Sequence, residues 1–155
     1  MSMGVVRVRG TVNLRGEVRD TLELLRLNKP NHCVVVPPRE AYLGMLQKAK
    51  DYITWGELRP EVLSKLLALR GRLTGNRPLT ENYVKEVLGF PSIDALAENI
   101  VKGDVEASGL NGVKPVFRLS PPRKGYERIK RPYADSGALG YRGEAINDLL
   151  LRMLE

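Results

Sequence analysis

Alternation opens the chain. In "VVRVRGTV", Val6 and Val8 fall on one side and Arg7 and Arg9 on the other, the two-residue period of a half-buried strand. The period lengthens in "GEVRDTLELLRL", where Val18, Leu22 and Leu25 recur at helical spacing and acidic residues occupy the first turn. "KPN" ends that helix, and "HCVVVPP" follows as a β-branched run stopped by prolines. Tyr42, Met45, Leu46 and Ala49 restore the helical period in "REAYLGMLQKAK". "YITWGEL" alternates again, with Ile53 and Trp55 opposed to Tyr52 and Thr54. Residues 5–56 therefore predict a β-α-β-α-β order, a split arrangement related to the ferredoxin-like plan.

The pattern then turns helical, dividing the chain into a core over 1–57 and an extension over 58–155. "RPEVLSKLLALR" tolerates Pro60 in its first turn and predicts burial of Val62, Leu63, Leu66 and Leu69. Thr80 and Ser92 are candidate caps of two further helices, which Gly89 and Gly103 stop. "VKPVFRL" suggests one more strand, and "GEAINDLLLRML" closes the chain as a helix through Ile146, Leu149, Leu150 and Met153. Between them "FRLSPPRKGYERIKRPYADSGALGYRGE", residues 117–144, has adjacent prolines, seven cations and no apolar period. Unstructured loops beyond ~12–15 residues are uncommon in compact domains and are usually functional or disordered. This stretch predicts a long basic loop over about 117–142, unable to offset its own ordering entropy and ordered by an outside polyanion.

Charge strengthens that expectation. The 155 residues carry a net +7, and its distribution is uneven. Residues 1–50 hold nine basic against four acidic side chains, and residues 111–142 hold eight against two. The stretch between, 51–110, is slightly acidic, with seven against nine. If the two basic regions meet in space, they form the electrostatic footprint of a nucleic-acid binder. No apolar run approaches the ~20 residues that span a bilayer, and "MSMGVVRVRG" does not read as a secretory signal. Cytoplasmic residence without membrane contact is the expectation.

Catalytic constellations are scarce. One cysteine, Cys33, allows no internal disulfide, and one histidine gives metal sites little to build on. His32 and Cys33 are neighbours, but consecutive strand side chains point to opposite faces and cannot pair. Glu17, Asp20 and Glu23 sit among Arg15, Arg19 and Arg26 as a solvated helix face. "GRLTGNR" lacks the ending of a phosphate-cradling loop and follows a helix rather than a strand. No catalytic residue, metal ligand, cofactor or small-molecule substrate is indicated. The basic residues form better sets: Arg7 and Arg9 on one strand face; Arg70, Arg72 and Arg77 around one loop; and Arg118, Arg123, Lys124, Arg128, Lys130, Arg131 and Arg142 along the long segment. Tyr126, Tyr133 and Tyr141 interleave with the last set. Guanidinium groups grip phosphate and stack on bases, and tyrosine rings offer bases a flat surface. With two phenylalanines and no RNP1 string, reading by a sheet face of the RRM kind is not expected. Loop and backbone contacts to structured RNA are.

"TLELLRLNKPNHCVVVPPREAYLGMLQKAKDYI" resembles the core of the L-thirty family of large-subunit ribosomal proteins, through Thr21, Leu22, Leu25, Leu27, Lys29, His32 and Val34, then Met45, Leu46, Ala49, Tyr52 and Ile53. "PVFRLSPPRKG" and "GEAINDLLLRML" are similar to the closing loop and helix of the longer archaeal and eukaryotic branch. The chain lacks the eukaryotic basic arm before the first strand, which points to an archaeal-type member. The resemblance implies an α+β fold: a three-stranded, mostly antiparallel sheet with the first strand central and two helices on one face. Added helices and the basic loop extend it. It also implies a structural role, binding large-subunit ribosomal RNA beside neighbouring ribosomal proteins. Asn13, Arg15 and Gly16 match a family turn lying against RNA; Arg19 on the following helix, and Asn31 and His32 at the next loop, join the candidates. The alternative is a small RNA-processing or RNA-modifying enzyme that holds substrate with the basic loop. A small-molecule regulatory domain of related topology would leave the basic segment without a purpose.

Overall fold

Val5 and Val6 point to opposite faces of one sheet, and each face is covered by helices. The computed structural model describes residues 2–10 and 14–154. Its elements run β1 (Met3–Arg7), α1 (Gly16–Leu24), β2 (His32–Val36), α2 (Glu40–Lys48), β3 (Ile53–Glu57), α3 (Pro60–Arg70) and α4 (Glu81–Tyr83), which continues as a π-helical turn over Val84–Leu88. Then come α5 (Ile93–Lys102), a 3-10 turn at Ala107–Gly109, β4 (Val116–Arg118), β5 (Arg128–Pro132), a 3-10 turn at Tyr133–Asp135, β6 (Gly137–Tyr141) and α6 (Ala145–Leu154). The result is a mixed α+β protein with an open sheet.

Among the described residues the sheet has six strands, in the order β4-β2-β1-β3-β6-β5, where a three-stranded sheet was expected. β1 does lie between β2 and β3, antiparallel to both, with Val5 opposite Val34 on one side and Trp55 on the other. The additional strands come from the second half of the chain. β4 adds antiparallel to β2, and β6 adds parallel to β3. β5 pairs parallel with β6.

Val5, Val34, Val36, Ile53 and Trp55 pack with Leu22, Leu25, Leu46 and Ala49, so α1 and α2 cover one face. Val6, Cys33, Val35 and Phe117 pack with Leu63, Leu66, Leu96, Ile100, Ile146, Leu149 and Leu150, so α3, α5 and α6 cover the other. Double coverage explains why "CVVV" in β2 is apolar throughout, since every position meets a helix. Ser92 caps α5 by accepting the Ala95 N–H at 3.1 Å, and Gly103 ends it in the left-handed region at φ 91°. A cap of this kind is worth about 1 kcal/mol. Thr80 caps α4 in the same way, accepting from Tyr83. In α3 the buried stripe is Val62, Leu63, Leu66 and Leu67, whereas Leu69 is 53% exposed. The expected Leu69 is thus replaced by Leu67, because the helix packs against both α5 and α6 and its apolar stripe is broad.

The expectation of an unsupported loop over 117–142 is corrected. That segment holds two whole strands and most of β4, buries Phe117, Leu119, Pro122, Ala138 and Leu139, and closes a small cluster with Val8 and Tyr126. Its apolar residues are few and irregularly spaced, so they carry no period. They nevertheless reach a sheet edge already built by β3.

Candidate nucleic-acid interface

Sheet register gathers the basic residues at one end. β1 ends at Arg7, beside which β2 and β3 begin with His32 and Ile53. β4 ends at Arg118, paired with His32. β6 and β5 both start at this end because they run parallel to β3, and Arg128 pairs with Gly137 there. The opposite end carries Glu57, to which the Tyr141 hydroxyl donates.

Within this end Arg9 lies over the Tyr52 ring, 5.1 Å from its centroid. Arg70 reaches back from the end of α3, donating to the Ser120 hydroxyl at 2.9 Å and to the Arg118 carbonyl at 3.2 Å. Asn31 sits at φ 70°, its N–H donating to the Arg7 carbonyl and its carbonyl accepting from Leu119. Its side-chain oxygen accepts from the Tyr126 hydroxyl at 2.6 Å. Asn31 and Tyr126 therefore stitch the loop onto the sheet. Burial pushes the Tyr126 hydroxyl pKa above its ordinary value, and the ring packs against the core. Burial, reinforced by Arg118, Lys29 and Arg7, holds the His32 imidazole below its ordinary 6.5. Three cations acting on one histidine show how closely positive charge is crowded here.

Two arginines do not belong to the open surface. Arg7 is 2% exposed, its Nη1 donating to the Leu27 carbonyl at 2.7 Å and its Nε to the Arg9 carbonyl at 3.0 Å. Its place on the α1 face of β1 turns it inward, beside a cavity of about 210 Å³ that Arg19 and Asn28 also line. Arg142 is 5% exposed: Nε donates to Thr54 Oγ1 and Nη2 to the Ala138 carbonyl, both at 2.8 Å. Its guanidinium stacks 4.9 Å from the Tyr133 ring centroid. Both were expected to face RNA; alternation and local charge cannot tell an outward arginine from one satisfying carbonyls inside the fold.

Arg118, Arg123, Lys124, Arg128, Lys130 and Arg131 are all exposed. Arg128, Lys130 and Arg131 stand on β5, whose five residues are exposed and whose outer edge is the margin of the sheet. Arg15 and Arg19 are exposed at the start of α1. Arg72 and exposed Arg77 lie on a separate loop, bridged to Pro78 and Val113 and tied to Lys114 ahead of β4. Asn13 lies outside the described residues. Sequence reading missed Lys29, whose charge acts on His32, and Arg152, which binds the carbonyls of the basic turn. Arg152 lies in an amphipathic helix, and nothing in that pattern reports a contact 27 residues away.

Residues 3–53 match the model of the family described as Ribosomal protein L30p/L7e. Large ribosomal subunit protein uL30 of Methanocorpusculum labreanum is 51% identical over 149 residues, covering 96% of this chain and 97% of that protein. The protein of the same name from Methanococcus vannielii is 49% identical over 156 residues, covering 99% and 100%. That from Archaeoglobus fulgidus is 52% identical over 149 residues, covering 96% and 97%.

Proposed function

The chain belongs to the ribosomal protein L30p/L7e family, and on that premise we propose that it binds large-subunit ribosomal RNA through the basic end of its sheet. It is a structural, archaeal-type constituent of the large ribosomal subunit and not an enzyme. The observation that carries this reading is the near-complete alignment at about half identity, which spans the core and the basic segment alike. Arg9, Arg118, Arg123, Lys124, Arg128, Lys130 and Arg131 are the phosphate contacts in this proposal, with Arg15 and Arg19 contributing from the start of α1. We read β1-α1-β2-α2-β3 as the ferredoxin-like-related core, and residues 58–155 as the extension that carries the second set of cations.

RNA supplies what this surface lacks, since each backbone phosphate offers a localised negative charge to a guanidinium fork or an ammonium group. Such contacts fix position and carry no sequence information by themselves. The test is retention: the chain should sediment with large subunits through a moderate-salt wash and dissociate steeply as salt rises. A chain found only in the free pool would overturn the proposal. The slightly acidic middle of the chain is where neighbouring ribosomal proteins would pack.

A further inference from the structure

The basic turn at residues 121–125, "PPRKG", is held from behind. Arg123 donates its N–H to the Arg152 carbonyl at 3.1 Å. The Arg152 side chain returns the contact, Nη1 donating to the Gly125 carbonyl at 3.1 Å and lying 3.4 Å from the Arg123 carbonyl. Its Nη2 faces Glu127 Oε1 at 3.4 Å. Inside the turn Gly125 donates to the Pro122 carbonyl at 2.9 Å, while Lys124 and Gly125 adopt φ of 68° and 73°. A lysine in the left-handed region is strained and persists only where its surroundings over-determine the backbone.

We propose that Arg152 is the positioning residue of the RNA contact, holding this turn in its binding shape so that Arg123 and Lys124 are presented before RNA arrives. The inference rests on the RNA-binding reading given above. Three features support it. A basic residue in the last turn of a helix ordinarily serves that helix's own carbonyls, but this guanidinium reaches across to those on either side of the strained lysine. Free carbonyl oxygens in the turn would repel a phosphate, and Arg152 occupies two of them. Glu127, one of two acidic residues between 111 and 142, is drawn back between Arg152 and Arg142, at 3.4 and 3.7 Å. Its carboxylate is thereby turned toward Arg152 and Arg142, behind the turn.

The role of Arg152 is indirect, which separates it from a phosphate contact. Full-length wild type, Arg152→Gln, Arg152→Lys and the double variant Arg123→Gln/Lys124→Gln are titrated with large-subunit ribosomal RNA across a salt series, with amide hydrogen exchange followed at 123–127. Arg152→Gln is expected to weaken binding about tenfold, to leave the log–log salt slope unchanged, and to speed exchange in the turn. The lysine, which lacks the planar fork, should restore only part of each effect. The double variant should lower the slope by about 1.4 to 1.8, two contacts at about 0.7 to 0.9 each. Adding Arg152→Gln to it should weaken binding no further, because there is nothing left to position.

Wild-type affinity for Arg152→Gln overturns the proposal, and so does a slope lowered as though one phosphate contact were lost. If Arg152→Gln does not fold, the lysine variant carries the same comparison: unchanged affinity and exchange overturn the proposal there too. A wild-type chain that fails to bind the RNA overturns the binding reading together with this one, whereas wild-type binding with an indifferent Arg152 overturns only the positioning role.

Discussion

Gly4 and Gly56 are register partners across β1 and β3, and α6 presses on both. A Cβ on Gly56 would stand 1.8 Å from the Gly143 carbonyl oxygen and 3.0 Å from Ile146 Cγ2; one on Gly4 would meet Leu150 Cδ1 at 3.3 Å. The closing helix therefore lies on a strip of sheet without side chains. Overpacking against movable side chains costs about 1–3 kcal/mol, and backbone cannot move aside as a leucine methyl can. Gly56→Ala should destabilise the chain by at least ~3 kcal/mol, and Gly4→Ala by ~1 kcal/mol or less. Denaturant unfolding of both variants measures the difference; equal costs would contradict the asymmetry of the two contacts.

Asn147 is wholly buried on α6 and joins three elements. Its Nδ2 donates to the carbonyls of Glu57 and Glu144, and its Oδ1 accepts the Arg59 N–H at 2.9 Å, at the start of α3. Asn147→Leu keeps the branched shape but removes the side-chain partners of the Arg59 N–H and the Glu57 carbonyl, while the Glu144 carbonyl keeps the backbone N–H of residue 147. Each group left unpaired costs about 1–3 kcal/mol. The expected loss is ~3 kcal/mol, since relaxation recovers part of that total. Asn147→Asp, which retains the acceptor, should cost less at low pH, where the carboxyl is neutral, than at pH 7. Melting curves at pH 4 and pH 7 decide between them.

Much of this arrangement is legible in one dimension. Periodicity finds the opening β-α-β-α-β order because each element there repeats its apolar residues often enough to register. It also finds the caps at Thr80 and Ser92, whose chemistry is local. What it cannot find is β6. "GALGY" is short and rich in glycine, and its place is set by the Thr54 hydroxyl donating to the Gly140 carbonyl, 86 positions away. The same limit applies to the cations. Arg7, Arg128 and Arg142 look alike in sequence, yet two are buried and donate to acceptors inside the fold, and one stands on its margin. The difference lies in long-range contacts that a charge count does not contain.

His32 is the chain's one histidine, so its titration can be followed without ambiguity. Burial first, then Arg118, Lys29 and Arg7, lower its folded pKa below 6.5. Between that folded value and 6.5 the unfolded chain binds more protons, so stability rises with pH across the window. The contribution is fully present above 6.5 and is lost as pH falls through the folded value. Phosphates placed at this end should act in the opposite direction and raise the imidazole pKa. Proton NMR of the imidazole, with and without ribosomal RNA, tests this; a pKa indifferent to RNA would remove His32 and its neighbours from the interface.

Cys33 is fully buried in β2, and burial pushes its thiol up to about 12. The thiolate is the reactive form, so at pH 8 the folded chain should react with thiol reagents only through opening of the sheet. Labelling should therefore keep pace with global unfolding and speed up in variants such as Gly56→Ala. Rapid labelling of the native chain would mean that β2 opens locally.

Arg128, Lys130 and Arg131 stand on an edge strand whose five residues are all exposed, and none of the three forms an ion pair among the described residues. Basic residues on a sheet margin also deter edge-to-edge association, which gives these three a second candidate role. Two readouts separate the roles. If the three grip a duplex, replacing them with alanine should reduce the salt slope of RNA binding by about 2.7, or by about 2.1 for single strands. Stability should stay within ~0.5 kcal/mol, as for exposed surface substitutions. If they serve only to guard the edge, RNA binding keeps its slope while the alanine variant self-associates, which sedimentation of the free chain would reveal. The parallel start of β5 beside the cation-crowded end of the sheet favours the first outcome, because it extends one positive surface rather than making a second.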